Sequence, residues 1–445
     1  MDKRSFSEQL AERCLDMAPT AADLTKARVC LLDYFACALS GADLPWSRAA
    51  TTVAAQSTGP HAVIGQTFCS NEADAAFANA VLGHSLVRDD MHLGSVSHIG
   101  TVVIPTLLAL SGSTSARGTD LLAAMIAGYE AGGTLGRAVL DVEVAANHRP
   151  TGICGPVAAA AAGARLLGYD AAQTAAAIGL ATNTVAGYNE WAATGGSEMF
   201  FQVGFAARNA ILALRLVAGE QNISRTAIDG PAGLFAAFDK PHVPADEAPT
   251  QHEIQHVFFK EVPACNFAQT PAQAALALAE TESLRPDDID TVVVFVNHAA
   301  AHYPGCDAQG PFRHILQAKM SIQYNVAAAL LAGNFDEANY RPADQEDISE
   351  LASSIEIRID HAMSSVYPRR QAARVRVDLS DGRRLTQELG DVRGASEKLV
   401  AQRFDAAARA SLGPAAARML RDRIAGLEHA DNCRVYSGLR LVAAE

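Results

Sequence analysis

Residues 83–100 read Gly-His-Ser-Leu-Val-Arg-Asp-Asp-Met-His-Leu-Gly-Ser-Val-Ser-His-Ile-Gly, which crowds Arg88, Asp89, Asp90 and the histidines His84, His92 and His98 between apolar stretches. Charge this dense beside a core element is costly unless it is paired. An imidazole titrates near neutral pH, so a histidine oriented by a carboxylate can move a proton. The segment reads as a pocket wall with that pair in it. The bland alternative is an exposed helix connection with internal salt bridges.

A second stretch, Asn147-His148-Arg149-Pro150-Thr151-Gly152, places a glycine-rich turn and an arginine before a helix, where free N–H groups can receive a carboxylate. Gly195-Gly196-Ser197-Glu198 is a similar turn. Such turns are also ordinary structural punctuation. Lys260 falls where the texture of the chain changes and is well placed to meet a ligand held between domains, although taken alone it reads better as a surface lysine. His252-Glu253-Ile254-Gln255-His256 fits H-E-x-x-H, a zinc pattern when it lies on a helix. No third ligand follows at a suitable spacing, and the flanks read as an exposed helix start. A solvated amphipathic turn is therefore favoured over zinc. His298 and His302 straddle a strand end and a turn, and make a weaker metal pair still.

These residues need a scaffold, and the spacing of apolar residues supplies one. Helices are expected over 22–40, from Thr119 onward, over 156–167 with Pro156 as first residue, and over 170–184 and 204–219. An apolar core helix is expected over 101–110. After about residue 258 the texture changes. Strands are expected at 291–297 and 355–359, and a hairpin at 373–379 and 384–389 around Asp381-Gly382. Helices intervene at 271–280 and 320–331. The expected architecture is mainly α: a large all-helical domain from both chain ends (1–258 and 395–445) plus a smaller α+β lid domain (259–394).

Apolar residues form 49% of the 445 and charged residues 19%, which suits a large buried core and hints at surface covered by a partner chain. The net charge of −13 and the absence of basic runs argue against nucleic acid and anionic membrane as partners. Eight scattered cysteines without a C-x-x-C read as reduced, buried thiols of a cytoplasmic protein. The N-terminus does not read as a signal peptide, and the Ala-rich stretches, broken by Arg165, Thr174 or Asn183, do not read as membrane spans.

In order along the chain, Leu32-Asp33-Tyr34-Phe35-Ala36-Cys37, Gly83-His84-Ser85 with Asp89-Asp90 and His98, Pro150-Thr151-Gly152 with Gly155, Gly204-Phe205-Ala206-Ala207-Arg208, Lys260 with Pro263, and Ser321-Ile322-Gln323-Tyr324 together resemble the MmgE/PrpD family of dehydratases, decarboxylases and epimerases. The resemblance implies the same two-part fold, a homodimer, no metal or organic cofactor, and di- or tricarboxylate substrates. It implies chemistry that moves a proton next to a carboxylate, and places family site residues on His98, Lys260 and Tyr324. The chain departs from the family pattern at Val87, Arg149, Met199, Gln202 and Gln269, where proton-handling groups are expected. Arg88, Asp90, His92, Arg149 or Glu190 are candidates to take over their roles.

The expectation is thus a cofactor-independent lyase or isomerase acting on a small carboxylate, the alternative being a catalytically weakened carboxylate sensor. His98 is the expected acid/base, with Lys260, Tyr324 and Asp90 as its catalytic partners; Arg88, Arg149, His92 and Gln202 are expected to bind substrate.

Overall fold

Ser5 with Glu8 and Thr20 with Asp23 form reciprocal capping boxes, and these open the helices Phe6–Asp16 and Ala21–Ser40. A computed structural model describes residues 4–219, 222–241, 250–282 and 284–436. Asp170 and Gln173 make the same box ahead of Ala171–Thr182. The long central helix Gly118–Val139 starts one residue before Thr119, and its cap is Arg117, whose N–H donates to Asp120. The expected start at Pro156 is wrong. Pro150 opens that helix, which runs Pro150–Leu167 and ends on left-handed Gly168. Pro156 is tolerated inside it because the carbonyl it leaves free, on Gly152, accepts from the Ala186 N–H instead.

A stripe of glycines sets how closely the central helices meet. A Cβ on Gly128 would lie 3.0 Å from Ala162, one on Gly132 3.1 Å from Ala158, and one on Gly136 3.2 Å from Cys154 Sγ. The helices Gly118–Val139 and Pro150–Leu167 therefore pack nearly backbone to backbone. Glu72–His84, Gly100–Leu110 and Glu198–Val217 complete the bundle. Glu198–Val217 is long and apolar enough to cross a bilayer. It lies in the core here, burying Met199, Phe200, Val203, Ala207, Ile211 and Leu214.

The expected strands form at Ile289–Val296, Glu356–Ile359, Ala373–Leu379 and Arg384–Leu389. In the four-stranded sheet Glu356–Ile359 lies at one edge, parallel to Ile289–Val296; Ala373–Leu379 and Arg384–Leu389 follow antiparallel. The hairpin turns at Gly382, whose φ of 87° needs a residue without a Cβ. The helix Gln269–Ala279 covers the hairpin strands and packs on Ile322–Ala332. The helix expected over 320–331 is divided, because extended Ser321 ends Ile315–Met320 and its hydroxyl caps the next one at Tyr324 N–H. The final long helix, Glu397–Ala425, bends at Gly413 and returns to pack along Ala21–Ser40. The protein is mainly α, and its four-stranded sheet is confined to residues 289–389. The part of the expected helical domain beyond residue 436 lies outside the described residues.

Candidate active site

The helix Glu72–His84 ends against a loop of unusual backbone. Val87 and Val96 both take the left-handed conformation, with φ of 58° and 46°. For a β-branched residue this costs roughly 1–3 kcal/mol and persists only where the surroundings impose it. Between the two valines, Met91–His92 pairs antiparallel with Val257–Phe258, which brings Lys260 to the loop. His92 and Ser97 exchange backbone hydrogen bonds, and the His98 N–H donates to Thr151 Oγ1 at the start of Pro150–Leu167. The loop is thus fastened at both ends, with the His98 side chain between them.

Asp89 is the hub. His84 Nδ1 donates to its carboxylate at 2.9 Å, and His98 Nδ1 stands 3.0 Å from its second oxygen, off the straight line of a hydrogen bond. The far nitrogen of each imidazole meets a cation. Arg149 Nη2 lies 2.8 Å from His84 Nε2, and Lys260 Nζ lies 3.3 Å from His98 Nε2. The result is a buried chain, Arg149–His84–Asp89–His98–Lys260, with both imidazoles presenting Nδ1–H to the carboxylate and an Nε2 lone pair outward. Burial lowers the pKa of His98 to about 3 and lowers that of His84 as well, so both are neutral at pH 7. Burial alone would raise Asp89, but the two histidines outweigh it and hold the carboxyl well below its usual range. Burial lowers Lys260 to about 8. With Arg149 and Lys260 charged and Asp89 ionised, the chain carries one net positive charge, which suits an anion.

Lys260 is held by two carbonyls as well, Val87 O at 3.1 Å and Ala264 O at 3.0 Å. The strained backbone at Val87 thus turns its carbonyl toward the lysine. Gln269 fixes the other side by accepting from Val262 N–H while its amide donates to the carbonyls of Val262, Ala264 and Cys265. Below it Lys319, also buried, joins Leu86 O, Pro263 O and Glu337. His98, Arg149 and Lys260 face one small cavity of about 20 Å³, room for roughly one water. Its other walls are mostly apolar and include Met199 and Phe267.

Three of the expected site residues meet at this cavity and five do not. Asp90 turns away to Tyr129, whose hydroxyl donates to it at 2.5 Å; burial raises this carboxyl to about 8. Arg88 lies toward Asp33, Cys37 and Glu337, and the cavity wall at that point is Val87. His92 is held between Ser95 Oγ and Glu253 Oε2, at 2.8 Å each. Gln202 lines a separate groove with Glu190 and donates to Tyr188 O. Tyr324 donates its hydroxyl to Asn339 O at 2.7 Å and packs against Phe312 and Tyr340. Asp90, His92 and Tyr324 are each claimed by a local partner, whereas Arg88 Nε and Gln202 Oε1 are buried without one and lie away from the cavity.

His84 and Asp89 carry more of the site than the sequence suggests. Their signal is there, because His84, Asp89 and His98 sit at a helix end and in the loop behind it. Lys319 is also absent from the expected set, although a lysine in an apolar run with no acid nearby marks a buried cation seeking carbonyls. The H-E-x-x-H stretch is neither a zinc helix nor a solvated turn. Glu253–His256 is a short 3-10 helix, and Glu253 is buried between His92 and Arg137. Burial raises Glu253, but those two partners outweigh it and hold the carboxyl at about 2. His252 pairs with Asp23 instead. His298 and His302 stack on a single helical turn. Among the described residues, His84, Asp89 and His98 are the group with metal-ligand spacing, their donor atoms lying within 4.8 Å of one another. A divalent ion there would have to displace the Nδ1 protons and sit beside two cations.

Sequence comparison with known proteins places the chain in a family. The MmgE/PrpD N-terminal domain matches residues 6–246 and the MmgE/PrpD C-terminal domain residues 262–429. Cis-aconitate decarboxylase of Aspergillus terreus is 25% identical over 441 residues, covering 91% of this chain and 89% of the relative. The cis-aconitate decarboxylase-like protein oryM of Aspergillus oryzae is 31% identical over 229 residues, 49% of this chain and 45% of the relative. With both domains matched across almost its whole length, the chain belongs to the MmgE/PrpD family.

Proposed function

We propose that this protein is a lyase or isomerase that takes a proton from the carbon next to a carboxylate of a small organic acid, using its own side chains as base, acid and charge. One observation carries the reading: the buried chain from Arg149 through Asp89 to Lys260, with the His98 lone pair facing the cavity. The relatives named for decarboxylation of cis-aconitate support a carboxylate as the substrate group.

In this scheme the substrate carboxylate settles between Arg149 and Lys260 and draws the ammonium off His98 Nε2. The freed Nε2 accepts the proton, and the C–H electron pair moves into the carboxylate as an enediolate. Lys260 and Arg149 neutralise the new charge in a site without bulk water. Asp89, 3.0 Å from His98 Nδ1, steadies the imidazolium by its charge. Returning the proton to carbon completes an isomerisation; expelling a group from the next carbon, with the His98 proton passed to the departing group, completes an elimination.

A cavity this small must open to admit substrate. Val87, His98, Arg149 and Met199 come to its lining from before residue 259, and Lys260, Phe267, Tyr303 and Met320 from after it. We therefore assign residues 259–394 as a lid over a helical body made by both chain ends. We also propose a homodimer. Phe205, Leu212 and Leu216 are exposed on one stripe of the helix Glu198–Val217, and Tyr188 is exposed beside them. Light scattering should give twice the chain mass, and Leu212→Asp with Leu216→Asp should halve it; a monomeric parent protein would refute the dimer.

The test of the chemistry is exchange of carbon-bound protons in D2O, followed by NMR with cis-aconitate, citrate and methylsuccinate as probes. General-base removal costs roughly 10²–10⁴-fold, so His98→Ala should slow exchange by at least about 100-fold. Exchange at the parent rate would rule out the role of His98. Buried Met199, where the resemblance expects a lysine, favours a second reading as a carboxylate sensor. Stabilisation by a probe with no exchange from any of them would select it.

A further inference from the structure

On the reading that the His98 cavity is the active site, we propose that the substrate is a mono- or dicarboxylate bearing an apolar alkyl or aryl group, with the acid end at Arg149 and Lys260 and the apolar part in the neighbouring cleft. Among the described residues the cavity offers two cations, Arg149 and Lys260, and no third. Arg149 is 6% exposed, its Nη2 is on His84, and its buried Nε has no partner. Lys260 is fully buried. A third carboxylate would meet only neutral groups, Cys265, Asn266 or Tyr303, or else Met91, Met199, Met320 or Phe267, whose side chains offer it no hydrogen bond.

Val96, Phe267 and Tyr303 are shared between this cavity and a cleft of about 460 Å³. The cleft runs between Leu140, Val142 and Ala145 on the helical side and Ala299 and Tyr367 on the sheet side. Among the described residues no lysine or arginine lines it; its titratable groups are His298, His302, Tyr303, Tyr367 and Asp141, the last paired with Lys240. A polyanion gains nothing there, whereas a hydrocarbon chain leaves water for an apolar wall. A cationic end and an apolar annex together select an amphipathic acid over a citrate-like one.

The experiment compares binding of succinate, methylsuccinate, butylsuccinate, octylsuccinate and cis-aconitate to the full chain by calorimetry at constant ionic strength. Affinity should rise about fourfold per methylene while the chain remains in the cleft, and butylsuccinate should bind at least tenfold tighter than cis-aconitate. Arg149→Ala should weaken every ligand. Val142→Asp, at an exposed position on the cleft wall, should remove the gain from butyl to octyl and leave methylsuccinate unchanged. Cis-aconitate binding as tightly as butylsuccinate, with sensitivity to Arg149→Ala retained, would overturn the inference and leave the site reading standing. Binding that ignores Arg149→Ala, or no binding by any of the five, would overturn both.

Discussion

At the scale of single residues, the chemistry depends on a division of protons. Burial lowers His98 to about 3, so it is free to accept a proton over the whole physiological range, and it lowers Lys260 to about 8. The active form needs Lys260 charged. The parameter kcat/KM reports the free enzyme, so it should be level from about pH 5 to 7.5 and fall near tenfold per unit above about 8. An anion bound beside Lys260 favours the charged form, so the matching fall in kcat should begin at higher pH. Initial rates of exchange between pH 5 and 9.5 measure both, and a kcat/KM level to 9.5 would refute the assignment. His98, Arg149 and Lys260 were legible in the sequence because each stood out by type in an apolar or glycine-rich setting. Asp90 and Arg88 stood out equally and point elsewhere. Sequence shows charge density but not which carboxylate a fold will turn toward which imidazole, and adjacent Asp89 and Asp90 differ in just that respect.

At the scale of elements, the site is positioned by close approach. Gly136 lets the helix Gly118–Val139 press on the loop that carries His98: a Cβ there would stand 2.1 Å from Ser95 Cβ and 3.1 Å from its Cα. Neither atom is the end of a flexible chain, so Gly136→Ala must move the loop or the helix. Overpacking of this kind costs roughly 1–3 kcal/mol. Catalytic geometry is less forgiving, because a displacement near 1 Å can cost about 100-fold. Gly136→Ala should therefore lower kcat far more than it lowers the urea midpoint, and a variant with normal kcat would show that the loop does not depend on this contact. Helices with periodic apolar faces and the Asp381-Gly382 hairpin were legible, since their signals are local. The misplaced start at Pro156 and the misread stretch at Glu253 have one cause. In both, a distant partner decides: Ala186 takes the carbonyl that Pro156 frees, and His92 with Arg137 draws Glu253 inside.

At the scale of the molecule, the mainly helical character and the confinement of the sheet to one stretch were readable from texture, because strands and helices differ in apolar period. What texture hides is the electrostatic balance of the core, and pH exposes it. Burial raises Asp33 to about 7 and Asp90 to about 8, from the usual 3.8, so the folded chain holds these protons more tightly than the unfolded one. The stability they contribute is full below about pH 4 and is lost as pH rises through 7 and 8. His84 and His98 act oppositely. Burial lowers both from 6.5, His98 to about 3, so stability rises with pH until 6.5 is reached. The two pairs offset one another between about pH 4 and 6.5. From 6.5 to 7 both carboxyls still change and the urea midpoint should fall; from 7 to 8 the Cys265 thiol, lowered to about 7 chiefly by its hydrogen bond with Cys306, opposes Asp90 and flattens the curve. Above 8 the lowered Lys260 reverses the slope, since the folded chain then sheds a proton the unfolded one keeps. Asp90→Asn retains an acceptor for the Tyr129 hydroxyl but has no proton to lose. The decline between pH 6.5 and 8 should shrink in that variant, while the midpoint at pH 4 stays near the parent value and the midpoint at pH 6 lies above it. An undiminished decline would mean that Asp90 is ionised in the folded core, and that its neighbours hold a charge which burial by itself disfavours.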